Sequence, residues 1–75
     1  MSDKGAWEIG TFAMDTRFDR VGKVMGHIGP YVQLRPPRGG REWDADPGDL
    51  RRLEPRERLN ARLAEVNAQS RNRLG

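Results

Sequence analysis

Between Trp7 and about Leu53 the apolar positions come in short, loosely alternating groups divided by turn-forming residues, which predicts a series of short β segments. In "WEIGTFAMDT" the apolar points are Trp7, Ile9, Phe12 and Met14, and Gly10 predicts a bulge or bend. "RFDR" then predicts a turn. "VGKVMGHIG" offers Val21, Val24 and Ile28 to a core, while Gly22, Gly26 and Gly29 weaken regular pairing and point to strong twist or bending. The clearest strand is "PYVQLRPP": Tyr31, Gln33 and Arg35 face one way, Val32 and Leu34 the other. Pro36 and Pro37 lack the N–H that a ladder needs, so pairing ends there or runs at an edge. Gly39-Gly40 predicts a hairpin turn, since both positions accept positive φ. "REWDAD" is the returning strand, "DPGD" at 46–49 a turn, and "LRRL" a short last strand.

From Pro55 the period changes. "PRERLNARLAEVNAQSRNRL" has no internal Gly or Pro, and Pro55 suits a first helical position, where its missing N–H costs nothing. Leu59, Leu63 and Val66 form one narrow apolar stripe, and Ala61, Ala64 and Ala68 a flank of small residues. Glu57 and Glu65 stand among Arg56, Arg58 and Arg62, giving a mixed-charge face. The expected class is therefore mainly β with one C-terminal α-helix: a small SH3-like barrel of four to five antiparallel strands. The expected organisation is a disordered start over residues 1–6, the barrel over 7–53 and the helix over 54–73, with the polar tail "NAQSRNRLG" fraying. The interior is assigned to Ile9, Phe12, Val21, Val24, Val32, Leu34, Trp43 and Leu53. The helix would lay Leu59, Leu63 and Val66 over an open end or face of the barrel, or pair with the same helix of a second copy, so the chain is a monomer or a homodimer.

Length and charge narrow the picture further. Seventy-five residues make at most one domain with a marginal core. The absence of cysteine removes disulfides and thiolate metal sites. "MSDKGAWEIG" is polar, so neither a signal peptide nor a membrane span is expected, and a cytoplasmic location is the default. The net charge is +3, from 14 basic and 11 acidic residues, and twelve of the basic residues are arginine. That balance permits nucleic acid as a partner without demanding it.

Two resemblances bear on the fold. "TRFDRVGKVMGHIGPYVQLRPPRGGREWDADPGDLRRL" resembles a group of small actinobacterial proteins of unassigned function. The likeness rests on Val21-Gly22-Lys23-Val24, Leu34-Arg35-Pro36, Gly39-Gly40, Glu42-Trp43 and the turn from Asp46 to Arg51 before an Arg- and Ala-rich helix. It covers roughly residues 10 to 72 and carries over no catalytic or binding residue. In addition, "DRVGKVMGHIGPYVQL" is similar to the KOW and Tudor-like pattern, in which G-x-V lies within half of a small barrel. Modules of that kind bind RNA, ribosomes, RNA polymerase or protein tails, an analogy of fold rather than of site.

Catalysis finds no support. His27, between two glycines, is the one histidine, and the two serines, Ser2 and Ser70, give it no nucleophile to activate. Asp44 and Asp46 share a face of the presumed strand, yet carboxylates just before Pro47-Gly48 are read as turn caps. "RGGR" lacks the strand–loop–helix context of a phosphate loop. No enzyme activity, cofactor or metal is expected. The candidate contact residues are Arg35, Arg38 and Arg41 around the Gly-Gly turn, with Tyr31 and Trp43 nearby, because arginines beside an aromatic can meet phosphate and stack on a base. The opposing reading keeps Trp43 in the core and pairs the arginines with Glu42, Asp44 and Asp46. The second candidate is the helix stripe Leu59, Leu63 and Val66, a docking face for a protein. The expectation is a non-catalytic interaction module that binds a protein partner, since acids are interspersed with the arginines. The alternative is a module that binds RNA or DNA through the arginine-rich hairpin.

Overall fold

The computed structural model describes residues 7–74, with side chains described through Gln69. The expected disordered start, residues 1–6, lies outside the described residues. Five antiparallel strands form one sheet: β1 (Phe12–Asp15), β2 (Arg20–Ile28), β3 (Tyr31–Arg35), β4 (Trp43–Ala45) and β5 (Leu50–Arg52). The sheet order is β4-β3-β2-β1-β5, a meander whose last strand returns to pair with the first. This is the connectivity expected of an SH3-like barrel, but no ladder joins β4 to β5, so the sheet remains open there. A single 3₁₀ turn, Pro47–Asp49, connects those two edge strands. It is capped by Asp46, whose carboxylate accepts a hydrogen bond from the Gly48 N–H at 2.8 Å. The chain ends in helix α1 (Pro55–Leu74), so the tail expected to fray continues the helix through Leu74.

Two bulges bend the sheet. Gly10 and Thr11 together oppose Val24: the Gly10 N–H donates to the Val24 carbonyl, and the Val24 N–H donates to the Thr11 carbonyl, both at 2.8 Å. Gly10 takes φ 96°, a value that favours glycine. A second irregularity lies between Val24 and Gly26 on β2, opposite β3. The burial of β1 corrects the interior assigned from sequence. Ala13 and Asp15 face inward, while Phe12 and Met14 are half-buried on the other face. Ile9 is 66% exposed rather than internal, and Val21 is half-buried beside Met14. The core cluster is Trp7, Ala13, Val24, Val32, Leu34 and Ala45, with Trp43 and Leu50 packed against it. Leu53 is buried as expected but lies outside that cluster. His27 is a structural group: its Nε2 lies 2.8 Å from the Trp7 carbonyl oxygen.

The Gly39-Gly40 pair does not form a two-residue hairpin. Pro36 and Pro37 stop the ladder after Arg35, and the reversal is a turn over 36–39, closed by the Gly39 N–H donating to the Pro36 carbonyl at 2.9 Å. Gly39 and Gly40, at φ 89° and 121°, then lead the chain back to β4.

One buried polar contact draws the sheet together. Asp15 is 1% exposed. Its Oδ1 accepts a hydrogen bond from the Arg17 N–H and its Oδ2 one from the Trp43 Nε1–H, each at 2.9 Å. Strands β1 and β4 stand three positions apart in the sheet, about 14 Å if it were flat. An indole spans that gap only if the sheet is strongly curled. Gly22 makes the passage possible: a Cβ there would stand 2.7 Å from the Leu34 Cβ and 2.9 Å from the indole of Trp43. Gly22→Ala is therefore expected to destabilise the fold by about 1–3 kcal/mol, read as a lower denaturant midpoint. Trp43→Phe, which removes a donor to a buried carboxylate, is expected to cost a comparable ~1–3 kcal/mol. Wild-type midpoints in both variants would refute this account of the curl.

Candidate functional site

Helix α1 docks on the sheet by its small residues, not by its leucines. Ala61 is buried, and Glu57, Ala64, Glu65 and Ala68 are half-buried, a stripe at helical spacing. Two ion pairs fix this rotation. Glu57 accepts two hydrogen bonds from Arg51 of the last strand, each 2.9 Å, and Glu65 accepts one from Lys23 of β2 at 3.0 Å. Such pairs, still partly open to solvent, add little stability, but they select an orientation: turning the leucines inward would carry both glutamates away from their partners. Glu57 also accepts a hydrogen bond from the Glu54 N–H at 2.9 Å, so one carboxylate caps the helix start and ties it to β5. The expectation that Leu59, Leu63 and Val66 would close the barrel is thus corrected. They are 57%, 50% and 51% exposed and form a stripe opposite the docked face.

The charges of that outward face follow from the docking. The acids of the helix's first three turns, Glu57 and Glu65, both engage partners on the sheet. What remains around the stripe in those turns is cationic or neutral: exposed Arg56, Arg58 and Arg62, with Asn60.

The hairpin candidates divide into two groups. Arg35, Arg38 and Arg41 are exposed around the 36–42 loop, and among the described residues none forms an ion pair, so the pairing with Glu42, Asp44 and Asp46 is not present. Tyr31 shares the outward face of β3 with Arg35 but stands four residues away, about 13 Å along the strand. Trp43 belongs to neither. It packs against the core, its N–H is committed to Asp15, and the Arg20 guanidinium covers its ring at 4.3 Å from the centroid. The structure does not bring Tyr31, Trp43 and the three arginines into one surface. The residue that sequence reasoning missed is Asp15: as a short acid before a turn it reads as a cap, and nothing local shows that it faces inward.

Among the described residues no group of three His, Asp or Glu side chains comes together to hold a metal, and no helix is long and apolar enough to cross a membrane. No protein-family model, curated protein or solved structure matches this chain.

The hydrogen bonds from Arg51 and from the Glu54 N–H, in that order, hold the Glu57 carboxyl at about 2 against an ordinary 4.5. Because the folded value is depressed, the contribution to stability is complete above pH 4.5 and is lost as the pH falls towards 2. Thermal unfolding between pH 5 and pH 2 is expected to show this decline, and Glu57→Gln to flatten it. A Glu57→Gln variant with the wild-type slope would show that the capping carboxylate is not linked to folding.

Proposed function

We propose that this chain is a non-catalytic interaction module that docks a protein partner on the outward face of its C-terminal helix. The observation that carries the reading is the exposure of Leu59, Leu63 and Val66 on a helix that already has a docked face elsewhere. A single apolar side chain on a surface needs no explanation, but three at i, i+4 and i+7 form a contiguous stripe of the kind that seats in a partner's groove. The stripe is wasteful as a solvated face and useless as a core face.

A nucleic-acid reading has its own observation: Arg35 at the end of β3 and Arg38 and Arg41 on the loop that follows, exposed and without an ion pair among the described residues. Phosphate contacts by such a loop would give binding that weakens steeply with salt.

The two readings separate on two variants. Leu63→Asp is expected to keep the fold, because Leu63 is half exposed, and to weaken capture of the protein partner by at least about tenfold, about 1.4 kcal/mol. Arg38→Glu is expected to leave that capture unchanged. Proteins retained by the immobilised chain and its two variants, with sedimentation of the free chain to detect a second copy, provide the comparison. The reverse pattern, with salt-sensitive binding of mixed RNA or DNA lost in Arg38→Glu, would transfer the function to the loop. Indifference to both changes would sink both assignments.

A further inference from the structure

A second feature adjoins the helix stripe on its arginine side. A cleft of about 310 Å³ opens where the start of β1, the end of β5 and the first turns of α1 meet. Its walls are Thr11, Phe12, Leu53 and three arginines, Arg52, Arg58 and Arg62, with no carboxylate among them. None of the three guanidiniums forms an ion pair with a described carboxylate. Of the helix acids, Glu57 holds Arg51 and Glu65 holds Lys23; the exposed Glu8 and Glu54 are close in sequence but do not line the cleft.

This concentration of like charge opposes folding. Arg58 and Arg62 are four residues apart on one edge of the helix, a spacing at which like charges repel. Arg52 adds a third cation to the lining, and its guanidinium lies 5.1 Å from the centroid of the Trp7 ring. A bound anion would relieve the repulsion, and guanidinium forks match the oxygens of a phosphoryl group. The backbone cannot serve as the anion's cradle, since the Gly10 and Thr11 N–H groups already donate to Val24 and Glu8. The donors available are the three guanidiniums and the Thr11 hydroxyl.

Volume and lining restrict the ligand further. The cleft is larger than an inorganic phosphate needs and lies at the lower end of the range that small organic ligands occupy. Phe12 and Leu53 supply an apolar wall beside the cations, and a planar ring would stack on the phenyl group. We propose that this cleft binds a small phosphate ester carrying a planar ring, the chemistry of a nucleoside monophosphate, with Arg52, Arg58 and Arg62 on the phosphate and Phe12 against the ring.

The test is calorimetric titration of the full chain with AMP, ribose 5-phosphate and inorganic phosphate at physiological salt, with a short single-stranded RNA as a separate arm. AMP is expected to bind with a submillimolar dissociation constant. Ribose 5-phosphate and inorganic phosphate are expected to bind more weakly, for want of the ring. Affinity for AMP should rise with pH through about 6, where the phosphate takes its second charge. Arg62→Gln or Arg58→Gln should weaken AMP about tenfold or more. These side chains are exposed and glutamine is a good helix former, so the fold should persist, as circular dichroism will check. Arg38→Gln and Leu63→Asp should leave AMP binding unchanged, which keeps this site separable from the loop and from the helix stripe. The proposal is overturned by any of four results: no AMP binding, AMP binding that ignores the three arginines, ribose 5-phosphate binding as well as AMP, or binding of RNA alone.

Discussion

The hydrogen bond from the Trp43 indole to the buried Asp15 carboxylate sets the shape of this protein. Its two ends come from strands three places apart in the sheet order, so it can close only across a strongly curled sheet. The two bulges supply bend, and Gly22 supplies the space through which the indole passes. In so small a chain the apolar core is slight: three aliphatic side chains, two alanines and Trp7 make up its buried cluster. A satisfied polar contact at the centre adds specificity to a core of this size, because leaving the carboxylate unpaired there would be costly. Arg17 supplies the second donor, and no buried side-chain polar atom lacks a partner among the described residues.

The curl decides where the helix can go. The concave side is filled by Trp7 and the inward residues of β1 to β4, so α1 packs against the outer face through Leu53, its alanines and its two glutamates. Alanine brings the helix backbone close to the sheet but buries little area, and the ion pairs at Arg51 and Lys23 orient the helix more than they strengthen its attachment. A helix held by its small residues presents its large ones to the outside.

Charge follows the same division. Both acids at the helix's docked side face partners on the sheet, which leaves arginines in excess on the surfaces that remain. They collect in three places: beside the leucine stripe, around the loop between β3 and β4, and in the cleft between β1, β5 and the helix. A modest net charge of +3 therefore hides local cationic surfaces, because the two carboxylates of the helix, Glu57 and Glu65, are used within the fold.

Much of the architecture was legible in the sequence. Turn chemistry at Asp46 to Asp49 and Pro55 marks element boundaries that the structure keeps, since these residues act through their own backbone and near neighbours. The alternation in Val32 and Leu34 identifies core residues because β3 is regular. What failed was phase. Phe12 and Met14 are the large apolar residues of β1, yet its pairing with β2 and β5 turns Ala13 and Asp15 inward, because the phase of a strand is set by its register with its neighbours and not by its own largest side chains. The helix failed in the same way. Its hydrophobic stripe was plain in the sequence, and the docked stripe proved to be the alanines. Periodicity fixes which residues share a face; which face meets the protein depends on partners such as Arg51 and Lys23, far away in sequence and brought near only by the folded sheet.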